Sequence, residues 1–281
     1  MLKQRIITAL LLLAVLLPAM FYPNPMVFGV VSALLVSAGI WEWIRLNQGG
    51  DSVAVVAALL MLVLCLALVW NPLPFTTLQT FWTGATAVWV LGGGWLLAAG
   101  VARWRAVPRT LRLALGIILI GVAWLAVAQT RLIGINFMLS VLALVWVADI
   151  GAYFSGRLLG GRWFTRKLAP AISPGKTWEG VVGGMVGVCL CALVWTGVES
   201  HAALGAPSVY TGLLAHGWAF TGLALVFLTA WSVVGDLVES LIKRSAGVKD
   251  SSQLLPGHGG VLDRLDALLP VLPMALMLQS L

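Results

Sequence analysis

The sequence predicts an all-α integral membrane protein of about nine transmembrane helices, and three observations lead there. Of its 281 residues, 60% are hydrophobic and only 10% charged, and the mean hydropathy is +1.01, more apolar surface than a water-soluble fold can hide. Apolar runs close to the roughly 20 residues that a helix needs to cross the hydrocarbon recur along the whole chain. Lys and Arg fall in the connectors between those runs, where the positive-inside rule reads orientation.

In chain order the runs cover about residues 6–22, 26–44, 53–70, 80–100, 112–129, 132–155, 180–198, 216–240 and 261–280. The connectors carry helix breakers: Pro23 and Pro25, Asn47 to Asp51, Asn71-Pro72-Leu73-Pro74, Pro108, Pro170 with Pro174, Gly205 to Pro207, and Pro256-Gly257. The first run follows Met1-Leu2-Lys3-Gln4-Arg5 and has the basic start of a signal peptide. No small-residue cleavage motif closes it and further spans follow, so it is expected to be a retained helix. Residues 1–130 read as an N-terminal region of about five spans, and residues 131–281 as a catalytic region of about four spans with cytoplasmic loops.

The formal charge is +7, from 17 Lys and Arg against 10 Asp and Glu. Because the basic residues sit between apolar runs, they point to membrane lipids with anionic head groups, not to nucleic acid. With a cytoplasmic N-terminus, Lys3, Arg5, Arg45, Arg103, Arg105, Arg109, Arg112, Arg157, Arg162, Arg166, Lys167, Lys176, Lys243, Arg244, Lys249 and Arg264 all fall inside. Only Arg131 falls outside, and the C-terminus is expected to be external. A missed or invented helix would scatter the later clusters. Cys65, Cys189 and Cys191 lie within apolar runs without metal-ligand spacing and read as buried small hydrophobes.

Asp149, Asp236, Glu239, Asp263 and Asp266 lie in or at the ends of apolar runs, whereas Glu42, Asp51 and Glu199 are near loops. An ionisable group inside a span costs about 2.5–3.5 kcal/mol on insertion scales, which makes it a functional candidate; a lone acid at a helix end can instead snorkel to the interface. Asp236, Glu239, Ser240 and Lys243 share one helix face by their spacing. A Glu239–Lys243 salt bridge alone would not require four polar groups in lipid. Beyond that helix come Lys243-Arg244, Lys249-Asp250, the turn Pro256-Gly257-His258-Gly259-Gly260 and a helix opening with Asp263-Arg264-Leu265-Asp266. Basic side chains, a glycine-rich turn and a helix start present N–H groups and positive charge to a phosphate. Asp263 and Asp266, three apart, can recruit Mg²⁺. His258 can contact a phosphate, move a proton or fix its own loop.

A second group begins at Asp149 and Tyr153 and continues through Gly156, Gly160 and Gly161 to Ser173-Pro174-Gly175-Lys176-Thr177-Trp178-Glu179-Gly180. Ser173 reads as an N-cap with Pro174 at the first helical position, leaving Lys176 and Thr177 as phosphate ligands. Gly175-Lys176-Thr177 has the ending of a P-loop, but proline stands at 170, where that motif needs glycine, and no strand precedes it.

Ser240-Leu241-Ile242-Lys243-Arg244, Lys249-Asp250, and Leu255-Pro256-Gly257-His258-Gly259-Gly260-Val261-Leu262-Asp263-Arg264-Leu265-Asp266 resemble the signature of the bacterial phosphatidate cytidylyltransferase, or CDP-diacylglycerol synthase, family. The stretch from Asp149 to Gly184 is similar to that family's upstream segment. Ile150, Gly175 and Ala267 depart from its frequent residues without removing an acid or a signature cation. The resemblance implies a bacterial inner-membrane enzyme of phospholipid biosynthesis that converts CTP and phosphatidic acid to CDP-diacylglycerol and pyrophosphate with Mg²⁺. A second cation and a homodimer are compatible with it. It assigns catalysis to Asp236, Lys243, Asp263 and Asp266, and metal to Asp236, Asp263 and Asp266. Substrate contacts go to Ser173, Lys176, Thr177, Ser240, Arg244, Lys249, His258 and Arg264. The competing functions are a CTP-dependent polyprenol or phytol kinase, which would need a base to deprotonate an alcohol, and a transporter, whose polar groups would be spread over repeated halves.

The charge distribution predicts sidedness. Single cysteines placed near Pro72 and Pro207 should react with an impermeant thiol reagent applied to intact cells, and one near Arg166 should not. Labelling near Arg166 from outside would overturn the orientation.

Overall fold

The computed structural model describes residues 2–202 and 204–281, all helix and loop with no β-strand among them. Helices α1 (Leu2–Phe21), α2 (Pro25–Leu46) and α3 (Asp51–Trp70) form an N-terminal group, followed by α4 (Gln79–Val88) and α5 (Gly94–Ala106). Then come α6 (Arg109–Ile133), α7 (Ile135–Leu159), α8 (Trp178–Glu199), the short α9 (Val209–Leu214), α10 (Trp218–Ala246), α11 (Leu262–Leu265) and α12 (Leu268–Gln279). Eight helical stretches among the described residues are long and apolar enough to cross a bilayer. They correspond to the first eight runs in the sequence, and the chain is a multi-pass membrane protein. Their outward faces carry side chains such as Leu60, Leu91, Ile118, Leu190 and Leu223, all exposed, as a hydrocarbon solvent requires.

The fourth stretch is composite. A 3₁₀ turn at Phe75–Leu78 leads into α4, and a π turn at Trp89–Gly93 joins α4 to α5. Gly100 (φ +78°) then breaks the helical path inside α5.

The ninth run differs from its expected form, because it is split into α11 and the 12-residue α12. Pro270 is the cause: it has no N–H to give the Asp266 carbonyl and its ring crowds that position, so a continuous helix cannot form across 266–267. The freed segment presses against α10 at Gly235, where a Cβ would sit 2.4 Å from the Asp266 carbonyl oxygen. From there α12 runs, almost wholly buried, to Gly212 of α9, beside Gln279. It packs against α4 and α6 as well as α9 and α10, so the N- and C-terminal regions interlock.

Small residues allow the closest helix pair, α7 with α8. A Cβ on Gly151 would lie 2.8 Å from the Gly183 carbonyl, and one on Gly184 would lie 2.8 Å from the Ala148 carbonyl, the close backbone approach that small residues permit in membranes. This contact sets Asp149 against the start of α8. Polar side chains pin the helix ends. Trp43 Nε1 donates to the Arg112 carbonyl (3.2 Å), Trp104 Nε1 to Asn47 Oδ1 (3.2 Å), and Arg105 Nε to the Ser245 carbonyl (2.6 Å). Arg131, the exception to the charge asymmetry, donates to the Met20 and Tyr22 carbonyls at the end of α1 (3.0 and 2.7 Å). It satisfies orphan carbonyls there.

Gly151→Leu should therefore lower the thermal unfolding midpoint in detergent, since overpacking costs about 1–3 kcal/mol and the obstacle is backbone that cannot rotate away. Gly222→Ala, which meets nothing within 4 Å, should leave the midpoint unchanged or raise it. Equal midpoints for both variants would contradict the packing.

Candidate active site

The C-terminal halves of α7 and α10 meet the start of α8 around a cleft of about 430 Å³ lined by Asp149, Tyr153, Arg157, Lys176, Thr177 and Asp236, among others. Asp149 comes from α7, Asp236 from α10, and Lys176 from the turn before α8. That turn is built by Pro174-Gly175, with Lys176 N–H donating to the Ser173 carbonyl (3.2 Å), and it follows directly on a turn closed by the pairing of Ala169 with Ser173. The helix starts later than its sequence suggests. Thr177, not Ser173, is the N-cap and accepts from Gly180 N–H (3.1 Å), because the Pro-Gly pair is taken up by the turn. Lys176 Nζ meets Asp236 Oδ2 at 2.5 Å, and Ser240 Oγ donates to Asp236 Oδ1 (3.2 Å). Tyr153 Oη accepts from Arg157 Nη1 (2.9 Å) and steers a further cation toward the cleft.

About two turns beyond Asp236 on α10, Lys243 bridges Glu239 and Asp263, with 2.6 Å from Nζ to Asp263 Oδ1. Glu239 is 5% exposed, and among the described residues Lys243 is its one charged partner. Asp263 Oδ2 accepts from Ser251 N–H (2.9 Å), Ser251 Oγ (2.9 Å) and Gly260 N–H (2.7 Å). Burial opposes the Asp263 charge, but the Lys243 ammonium and the Gly260 and Ser251 N–H groups outweigh it and hold its carboxyl below the usual range. Asp266 Oδ1 accepts from Ala267 N–H (2.7 Å), and Asp149 and Asp236 are like charges lining one cleft.

The loop amides do something other than their sequence suggests. The N–H groups of Gly260, Val261 and Leu262, which the glycine-rich turn was expected to offer to a phosphate, are all taken by protein carboxylates, Gly260 by Asp263 and the other two by Glu42. Positive side chains are left for that task. Several of those are also engaged. Arg264 donates twice to the His258 carbonyl (3.1 and 2.6 Å), and Arg244 to the Ile172 and Val248 carbonyls (both 3.3 Å), so both arginines brace the loops. His258 is half-buried with no partner at Nδ1, and Lys249 is exposed.

Sequence reasoning passed over two buried acids. Glu42 was placed near a loop but is fully buried. Glu179, 1% exposed, accepts from the N–H groups of Gly161, Trp163 and Phe164 at 3.0 Å each with one oxygen, ordering the turn after α7. Their signal was present: an acid beside tryptophan within or at the edge of an apolar run, with a glycine-containing loop elsewhere in need of an acceptor.

Among the described residues no three His, Cys, Asp or Glu converge on a ready-made metal cage. Magnesium does not need one, since it is commonly held by one or two carboxylates together with substrate phosphates. Asp236 and Asp266, with Asp149 nearby, fit such a cation, being hard oxygen donors with mutual repulsion to offset. Asp263 fits less well, because its donors are already supplied by the protein.

Fold and cleft together define a polytopic membrane enzyme with an acid-and-lysine centre at one edge of its helical bundle. The chain belongs to the cytidylyltransferase family, whose model matches residues 3–281. It is 41% identical to the phosphatidate cytidylyltransferase of Pseudomonas aeruginosa over 97% of this chain and 95% of that one, and 37% identical to that of Haemophilus influenzae over 97% and 96%. A 46% match to the Brucella melitensis protein covers 48% of this chain and 43% of the relative.

The Lys243 geometry carries a prediction. Lys243→Met leaves Glu239 and Asp263 facing each other without a cation and should cost about 3–5 kcal/mol of stability, read in chemical denaturation. Adding Glu239→Gln should recover much of that loss without restoring activity. Full activity in the double variant would remove Lys243 from the reacting site.

Proposed function

We infer that the chain transfers the cytidylyl group of CTP to phosphatidic acid, giving CDP-diacylglycerol and pyrophosphate in the bacterial inner membrane. The observation that carries this reading is the cleft itself: Asp149, Asp236 and Lys176 converge at the end of three apolar helices beside the Lys243–Asp263 pair, in a chain similar along nearly its whole length to phosphatidate cytidylyltransferases. A site at the membrane edge can receive a soluble nucleotide from one side and a lipid head group from the other.

Both reactants are polyanions, so the task is to bring two phosphates together and stabilise charge on the departing group. Lys176 and Lys243, now paired with Asp236 and Asp263, are the cations placed to turn toward phosphate oxygens. Arg157 adds a third from the cleft wall. The phosphatidate oxygen is ionised near neutral pH and attacks the α-phosphorus of CTP, while the bond from that phosphorus to the bridging oxygen breaks and pyrophosphate leaves. No strong general base is required. Asp236 and Asp266, with Asp149, would hold Mg²⁺, which when bound supplies positive charge to the phosphates. Ser240 orients Asp236, and Arg244 and Arg264 keep the two loops in place. A second cation and a homodimer remain part of this proposal.

Label position in CTP tests it. Purified protein with Mg²⁺ should carry α-phosphate label into the lipid and release γ-label as pyrophosphate, one per lipid formed. Lys176→Met should slow this by about 10²–10³-fold, as losing one charge-stabilising donor typically does. Transfer of γ-label to a lipid alcohol, with α-label remaining soluble, would establish a kinase instead.

A further inference from the structure

The N-terminal helices carry none of the signature, yet one of them reaches the loop that leads to Asp263. Glu42, on α2, has no exposed surface. Its Oε1 accepts from Ser252 Oγ (2.6 Å) and Val261 N–H (2.9 Å), and its Oε2 from Leu262 N–H (2.9 Å). Ser251 Oγ lies 3.3 Å from Oε2 and 2.9 Å from Asp263 Oδ2. A hydroxyl has one proton to give, so Ser251 serves the nearer Asp263 and sits between the two carboxylates.

One carboxylate thus binds both ends of the loop 251–262. Ser252 is at its start, Val261 and Leu262 are at its finish, and the residue after Leu262 is Asp263, which holds Lys243. Among the described residues no other acceptor meets the Val261 and Leu262 amides, which are buried and cannot turn to water. α1 supports the same loop from outside, with Thr8 Oγ1 donating to the Pro256 carbonyl (2.9 Å) and Arg5 packed beside Gly257. The glycine at 260 is part of the fit, because a Cβ there would lie 2.5 Å from Glu42 Oε1 and 2.0 Å from Ser251 Oγ.

We propose that Glu42 is a positioning residue for the reaction: a buried carboxylate from the N-terminal region that clamps both ends of the loop 251–262 and thereby fixes Asp263 and, through it, Lys243. It touches no substrate. Its effect is geometric, and a misplacement of about 1 Å at a reacting centre can cost about 10²-fold in rate.

Glu42→Gln tests this with little change of shape, since the amide keeps one acceptor and turns the other oxygen into a donor that faces an N–H group. In cytidylyl transfer, kcat should fall by about 10²-fold with a much smaller change in KM for CTP. Hydrogen exchange in detergent should quicken in peptides covering 250–262 while α2 and α10 keep their protection. Glu42→Asp, too short to reach both loop ends, should not restore kcat. The kinetic arm rests on the proposed function, whereas the exchange arm does not; loop-confined exchange in a protein without cytidylyl transfer would count against that function and not against the clamp. Unchanged kcat in a folded Glu42→Gln protein, or faster exchange spread over all of α2 to α6, would overturn the proposal. Should Glu42→Gln fail to accumulate, Ser252→Ala removes one donor from a half-buried position. It should lower kcat several-fold and loosen the same peptides, and no change in either measurement would also overturn the clamp.

Discussion

A carboxylate inside an apolar bundle has no water to fall back on, so each one must be surrounded by donors or paired with a cation. The shape of this protein at its functional end follows from that constraint. Glu42 draws together the two ends of one loop, Glu179 orders the turn after α7, and Asp263 ties Ser251, Gly260 and Lys243 into one knot. The same device works at the far end of the bundle, where Glu199 accepts from Ser208 N–H and Oγ, Thr211 Oγ1 and Asn136 Nδ2 and so seats α9. Loops that would otherwise be free at a membrane surface become parts of the packed core.

The acids differ in how far protein donors occupy them. Glu42 and Asp263 have their acceptor capacity largely filled by the protein, and one oxygen of Glu179 takes three N–H groups. Asp149 and Asp236 are like charges lining the cleft, Asp266 accepts from the Ala267 N–H, and Asp236 is held by one lysine and one serine. Cations divide in the same way. Arg244 and Arg264 grip backbone carbonyls, whereas Lys176 and Lys243 form ion pairs that an incoming polyanion can exchange. A short flexible ammonium suits that exchange, and a planar guanidinium suits bracing.

Much of this was legible in the sequence. The eight long helices follow from apolar runs of the right length, and the shared face of Asp236, Glu239, Ser240 and Lys243 follows from helical spacing. The ninth run was misjudged as one helix because hydropathy does not register the amide that Pro270 lacks. The sequence places the start of α8 too early because Ser173-Pro174 is a good helix opening, whereas the successive turns Ala169–Ser173 and Ser173–Lys176 take up those residues. The loop amides were assigned to phosphate because a sequence shows N–H groups without showing who accepts from them. Glu42, more than 200 residues from its partners, has no local signal that names them.

Protein carboxylates occupy the loop amides, and we propose that the Lys176 and Lys243 side chains receive the phosphates. An experimental structure of the protein with Mg²⁺ and a non-reactive CTP analogue tests it most directly. The predicted result places the analogue's phosphates against Lys176 and Lys243, with Val261 and Leu262 N–H still donating to Glu42 and Gly260 N–H to Asp263. Phosphate oxygens seated on those three amides, with Glu42 and Asp263 displaced, would contradict it.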